Sequence, residues 1–170
     1  MWFWVTVVLG IGVVLYLSGR FFRKLADEVA KWRPSDDHSK ETDYRKDVAG
    51  FLRTTLPGYT IIEEYGNERS RADLVVCSSA AGIESSQEKF VIELKYRLEA
   101  KVEVDRVIGQ CVGYRQFGYH KVILLLIDTE PNMVAILKSR AAVDVLAGFL
   151  VLIEVRKAPV PVESSLNVTA

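Results

Sequence analysis

Residues 122–128, VILLLID, are apolar on both alternating faces of an extended chain. A strand of that kind needs cover on each side, which predicts a central position in a sheet sandwiched between helices. The flanking segments supply the layers. ETDYRKDVAGFLRTTL, residues 41–56, sets Tyr44, Val48, Phe51 and Leu52 at helical spacing, with Thr42 as a cap and Pro57-Gly58 as the stop. Three strands are expected next: YTIIEEY at 59–65, ADLVVC at 72–77 and KFVIELKY at 89–96, the last two closely paired across a Ser/Gly-rich turn at 78–87. Helical spacing returns over 102–117 through Val104, Val107, Ile108, Cys111 and Arg115. One more helix at 138–147 and an outer strand at 149–155 complete the pattern. Helix, three strands, helix, strand gives an α/β fold, a mixed central sheet flanked by helices.

The amino end is of another kind. MWFWVTVVLGIGVVLYLSG, residues 1–19, carries no charged side chain, and as a helix it nearly matches a hydrocarbon core of ~30 Å. Trp2, Trp4 and Tyr16 lie towards its ends, and Arg20, Arg23 and Lys24 follow at once. The pattern predicts one transmembrane helix whose carboxyl end stays in the cytoplasm. A cleaved signal peptide would want its positive charge before the apolar stretch, and RFFRK follows it instead. Residues 20–40 read as a juxtamembrane linker that starts as a continuation of the helix and ends in Pro34, Ser35, Asp36 and Asp37, with His38 solvated within it. The expected organisation is therefore a membrane helix at 1–19, a linker at 20–40, one domain at 41–157 and a flexible tail at 158–170. At 170 residues there is little room for a second domain.

Twenty-two cations balance twenty-two anions, so any basic surface must be local. Cys77 and Cys111 fall inside apolar runs with no disulfide or zinc spacing and read as reduced core thiols.

Chemistry concentrates in KFVIELKY. Alternation sends Phe90, Ile92, Leu94 and Tyr96 to one face and Val91, Glu93 and Lys95 to the other. A carboxylate and an ammonium near the end of an apolar strand are costly to desolvate unless something compensates them, and a divalent metal with its water would. Asp73 is placed similarly beside Ala72 and Leu74, and if the two strands pair it meets Glu93. Two carboxylates suit Mg²⁺, which keeps most of its waters; a lysine beside them would orient or help deprotonate the attacking water and offset charge growing on phosphate. The bland alternative is a surface ion pair between Glu93 and Lys95, worth ~0 to 1 kcal/mol.

Ala72-Asp73, a twenty-residue gap and Glu93-Leu94-Lys95 together resemble the PD-(D/E)xK nuclease superfamily of restriction enzymes and archaeal Holliday-junction resolvases. The resemblance spans about residues 41–128, with Ala72 where the family has proline. It implies a restriction-endonuclease-like fold and a divalent-metal-dependent endonuclease cutting DNA with Mg²⁺, or Mn²⁺ in its place. Asp73, Glu93 and Lys95 would be catalytic. Gln110, one turn from Tyr114 on the following helix, is similar to a glutamine that some members add to the site. Members often take another acidic ligand from the first helix, and Glu41 extends the Tyr44–Val48–Phe51 face to meet that need; Asp47 is off the face, and Glu63 and Glu64 stay open. The expected metal ligands are thus Asp73, Glu93 and Glu41.

Arg71, Arg97, Lys101 and Arg106 border the motif as candidate phosphate contacts, with Tyr114 as a candidate base-stacking group. A solvated charged face explains the cations nearly as well. RNA stays open as a substrate. A homodimer would let such an enzyme cut two strands symmetrically, though no residue pattern establishes one. The other reading is a membrane-bound nucleic-acid-binding or scaffold protein that keeps the fold without catalysis.

Overall fold

A computed structural model describes residues 19–67, 71–78, 88–142 and 146–156. Five strands make one sheet in sequential order: β1 (Tyr59–Tyr65), β2 (Ala72–Ser78), β3 (Lys89–Tyr96), β4 (Lys121–Ile127) and β5 (Leu150–Val155). β1, β2 and β3 pair antiparallel, whereas β3, β4 and β5 pair parallel. The sense of pairing therefore changes at β3. The described helices are α1 (residues 19–31), α2 (Glu41–Thr55), α3 (Lys101–Gln116) and α4 (Pro131–Ala141).

β4 behaves as its two-faced sequence predicts, with Val122 to Ile127 all buried. Ile123, Leu125 and Ile127 enter one core with Phe90, Ile92 and Leu94 of β3 and the inner faces of α1 and α2. Val122, Leu124 and Leu126 enter a second core with Val91 of β3 and the inner faces of α3 and α4. Each buried Leu or Ile contributes ~1.5 to 3 kcal/mol relative to exposure, so the two layers hold the sheet from both sides.

Within the expected linker, residues 20–31 are helical as its start was read to be, and they pack into the domain rather than standing apart from it. Phe22, Leu25, Val29 and Trp32 recur at helical spacing and are buried in the first core; α1 thus closes one face of the sheet that would otherwise lie bare. Arginines and lysines between those positions mask the stripe in sequence. His38 is not solvated either: its Nε2 lies 3.3 Å from Asp47 Oδ2, and its ring packs edge-on against Tyr44. The last helix is displaced from the predicted 138–147 to Pro131–Ala141, because Pro131 fits the first helical turn, where no N–H is needed. α2 starts at Glu41 without the Thr42 cap, its N-cap being Lys40 with no side-chain bond.

The predicted membrane helix at 1–19 lies, but for its last residue, outside the described residues. Among the described residues no helix is long and apolar enough to cross a membrane.

Three residues other than glycine have left-handed backbones: Glu64 in β1 (φ 51°), Arg97 just after β3 (φ 54°) and Asp128 just after β4 (φ 51°). All three lie at the same end of the sheet, where the parallel strands finish.

Candidate active site

The ladder between β2 and β3 is paired from Cys77–Lys89 to Leu74–Ile92, whereas β3 stays paired with β4 as far as Tyr96–Ile127. The final residues of β3 thus have a neighbour on one side only, and the same register sets Asp73 across from Glu93. Asp73 fills part of the gap with its side chain, since Oδ2 accepts the Leu94 amide N–H at 2.8 Å. Glu93 is almost fully buried. Its Oε1 accepts from Lys95 Nζ at 2.7 Å, and its Oε2 accepts from the Tyr114 hydroxyl of α3, also at 2.7 Å.

Glu41, at the first turn of α2, reaches the same place from the opposite face: Oε2 accepts the Tyr96 amide N–H at 3.3 Å, and Oε1 lies 3.8 Å from Lys95 Nζ. The Lys95 ammonium is therefore shared between Glu93 and Glu41. Glu41 and Lys95 border a cleft of about 240 Å³ that Glu103, Arg106 and Gln110 also line. Gln110 Oε1 is buried there with no hydrogen-bond partner, an acceptor available to a bound water or ligand.

The electrostatics follow from burial first and the charge of Glu93 second. Burial, then the charge of Glu93, push the Asp73 carboxyl up to about 7, against the pull of Lys95 and the Leu94 N–H. Burial lowers the proton affinity of Lys95, but Glu93, Glu41 and Asp73 outweigh it and hold the ammonium above its ordinary range. Lys95 is thus a fixed positive charge at neutral pH rather than a base. Burial and Glu93 likewise raise the Tyr114 hydroxyl, keeping it a donor, and push the Cys111 thiol up to about 12; both Cys77 and Cys111 are buried, free thiols.

Of the residues the sequence singles out, Glu93 and Glu41 both lie against Lys95, Asp73 is bonded to the Leu94 amide between Glu93 and Lys95, and Gln110 lines the same cleft as Glu41 and Lys95. The other candidate acids are engaged elsewhere. Glu63 and Glu64 pair with Arg45, at 3.8 and 2.9 Å, and Glu63 also with Arg53. Asp47 accepts from the Ser35 amide and hydroxyl. Tyr114 is corrected: it is 2% exposed, with its hydroxyl on Glu93, so it holds the site from behind and offers no face to a base. Arg71 and Lys101 are exposed, Arg106 lines the cleft, and Arg97 lies 3.2 Å from Asp128 and over the Tyr96 ring.

Arg45 was missed. It lies 3.8 Å from Asp73 Oδ1, and its Nε is buried with no hydrogen-bond partner. Its signal was present, since Arg45 is one helical turn beyond Glu41 and shares its side of α2. Glu103 was missed as well; it accepts the Glu99 and Ala100 amides at 3.0 Å, which ties down the start of α3 beside the cleft.

Among the described residues no three His, Cys, Asp or Glu side chains stand close enough to enclose a metal by themselves. The Asp73–Glu93 pair nonetheless fits a hard cation that takes one or two carboxylates and keeps its waters. The elevated proton affinity of Asp73 reflects its burial first and the neighbouring charge of Glu93 second, and a cation between the two carboxylates would offset both.

No protein-family model matches the chain, and no curated protein matches it. Among solved structures it is similar to a repair endonuclease from Pyrococcus abyssi, with a TM-score of 0.44 and 14% identity over 74% of this chain and 50% of that one. It is also similar to EndoMS in a complex with double-stranded DNA, with a TM-score of 0.42 and 14% identity over 76% of this chain and 52% of that one. The chain thus spans about half the length of the structures it matches.

Proposed function

We propose that this chain is a divalent-metal-dependent endonuclease that hydrolyses phosphodiester bonds in DNA, held at the cell membrane by residues 1–19 with its folded domain in the cytoplasm. The observation that carries the reading is the convergence of Asp73 and Glu93, from adjacent strands, on one spot where Lys95 Nζ lies 2.7 Å from Glu93. A structural ion pair on an exposed edge needs none of this: Glu93 is 2% exposed and backed by a tyrosine donor.

Asp73 and Glu93 would hold Mg²⁺ or Mn²⁺, with Glu41 as a third carboxylate at the rim. The bound cation would polarise the phosphate and acidify a water. The chain's own groups do the rest. Lys95, held protonated, offsets negative charge as it grows on the phosphate oxygens. Gln110 Oε1 accepts a hydrogen from the attacking water and so orients it. Tyr114 fixes the Glu93 carboxylate in one orientation, and Arg106 at the cleft supplies a cation for the phosphate backbone.

The test is cleavage of supercoiled plasmid and of a branched duplex by the full chain in detergent, with Mg²⁺, Mn²⁺ or a chelator. Metal-dependent cutting abolished by Asp73→Ala and by Lys95→Ala supports the nuclease. Salt-sensitive DNA binding without cutting under any of these conditions replaces it with the scaffold reading.

A further inference from the structure

The carboxylate site occupies the end of the sheet where β3 finishes. The opposite end, where β3 and β4 begin, has a different character. There α1 starts, with Phe21 stacked on Tyr59 and edge-on to Phe90, and Phe22 beside Phe90. Around that aromatic cluster stand Lys24, over Tyr59, and Lys121, over Phe22 at 4.9 Å. Arg20 and Arg23 are exposed on the first turns of α1. Among the described residues no carboxylate is ion-paired with any of these four cations.

The same end carries the turn after α3, which the antiparallel return of that helix brings beside the start of β3: the His120 amide donates to the Lys89 carbonyl at 2.9 Å. Phe117 in this turn is 52% exposed, one of two large hydrophobic side chains so exposed among the described residues. The uncharged run of residues 1–18 leads directly into Gly19 and Arg20.

We propose that this cation-rich end rests on anionic lipid headgroups, with Phe117 at the interface, so that the carboxylate cleft opens away from the membrane. The inference rests on residues 1–19 being the membrane anchor. Lipid is favoured over nucleic acid because Arg20, Arg23 and Lys24 are continuous in sequence with the apolar run, and they and Lys121 lie at the far end of the sheet from the cleft. β3 has eight residues, which at about 3.3 Å each puts the cleft roughly 25 Å from the headgroups. DNA could then reach the site without approaching the negative surface closely, most of whose field is gone beyond a Debye length of about 8 Å. Aromatic and cationic side chains together suit the interface, where rings bury an apolar body and cations meet phosphate.

The experiment is hydrogen–deuterium exchange of the full chain reconstituted in nanodiscs of phosphatidylcholine alone or mixed with phosphatidylglycerol. The turn at 115–120 and the start of α1 are expected to exchange more slowly in the anionic discs at low salt. Each cation near the surface contributes about fivefold to such an association, so the triple variant Arg23→Glu, Lys24→Glu, Lys121→Glu should lose the protection and keep its plasmid cleavage. Identical exchange in both lipids, with the chain inserted, overturns the proposal. So does protection of the same turn by added DNA in neutral discs, which would mark a nucleic-acid surface. A chain that fails to enter discs, or is stripped from them by alkaline carbonate, overturns the anchor reading instead, so the two failures are distinct.

Discussion

The Tyr114 hydroxyl donates to Glu93 Oε2 at 2.7 Å, while the Arg71 carbonyl oxygen lies 3.1 Å from the same hydroxyl. One phenol thus joins α3, the approach to β2 and the central carboxylate of β3. Removing the hydroxyl leaves a carboxylate oxygen buried without its donor. Tyr114→Phe should cost about 1 to 3 kcal/mol of stability, read as a lower urea midpoint with an unchanged slope. Cleavage should fall too, because Glu93 is no longer held in one orientation.

Asp73 makes metal-free stability depend on pH. Its folded-state carboxyl is raised from the ordinary range to about 7, so the folded protein keeps a proton that the unfolded chain has already released. That contribution is full at acid pH and is lost as pH rises through about 7. Asp73→Asn has no proton to lose. In chelator, wild type should therefore lose stability relative to Asp73→Asn between about pH 4 and about pH 7 and level off above that, as followed by urea denaturation; a constant difference over that range would mean that the Asp73 carboxyl is not raised in the folded state.

Lys95 separates charge from shape. Lys95→Met keeps the length of the chain but leaves Glu93 Oε1 without its cation, and cleavage should fall by about a hundredfold or more, the loss typical of a preorganised charge-stabilising group. Because Lys95 pulls the Asp73 carboxyl down, its removal should also move the Asp73 titration upward. The pH profile of metal-free stability in the variant reads that shift directly.

α1 is tested by its buried positions. Leu25 is fully buried against the sheet, and Leu25→Ala should cost about 2 to 5 kcal/mol. Cutting the chain back to residue 36 removes Phe22, Leu25, Val29 and Trp32 together, so the remainder should melt without a cooperative transition, as seen by calorimetry.

The sequence was most legible where one physical requirement dominated. Period-two alternation over KFVIELKY placed Glu93 and Lys95 opposite Ile92 and Leu94, and the uniform apolarity of VILLLI placed β4 inside. It failed where two demands overlapped. In α1 the exposed cations that follow an apolar run conceal a buried stripe, and the Pro34–Asp37 segment beyond it looks like a linker end. The start of α4 depends on Pro131, which also reads as a breaker. At the site, strand alternation gave the face for Asp73 and Glu93, but only the register of β2 on β3 shows that they oppose each other. Tyr114 looked like a stacking group because local spacing does not tell whether a ring turns outward or lies beneath a carboxylate.

The left-handed backbones of Glu64, Arg97 and Asp128 all fall on the rim of the sheet that carries the cleft. Such conformations resist a Cβ and cost of order 1 kcal/mol or more apiece, so the rim is a sprung frame, kept bent by the packed layers behind it. Glycine at any of the three would ease the backbone and free the rim to wander. Selection for a tougher protein and selection for a sharper one would pull these positions in opposite directions.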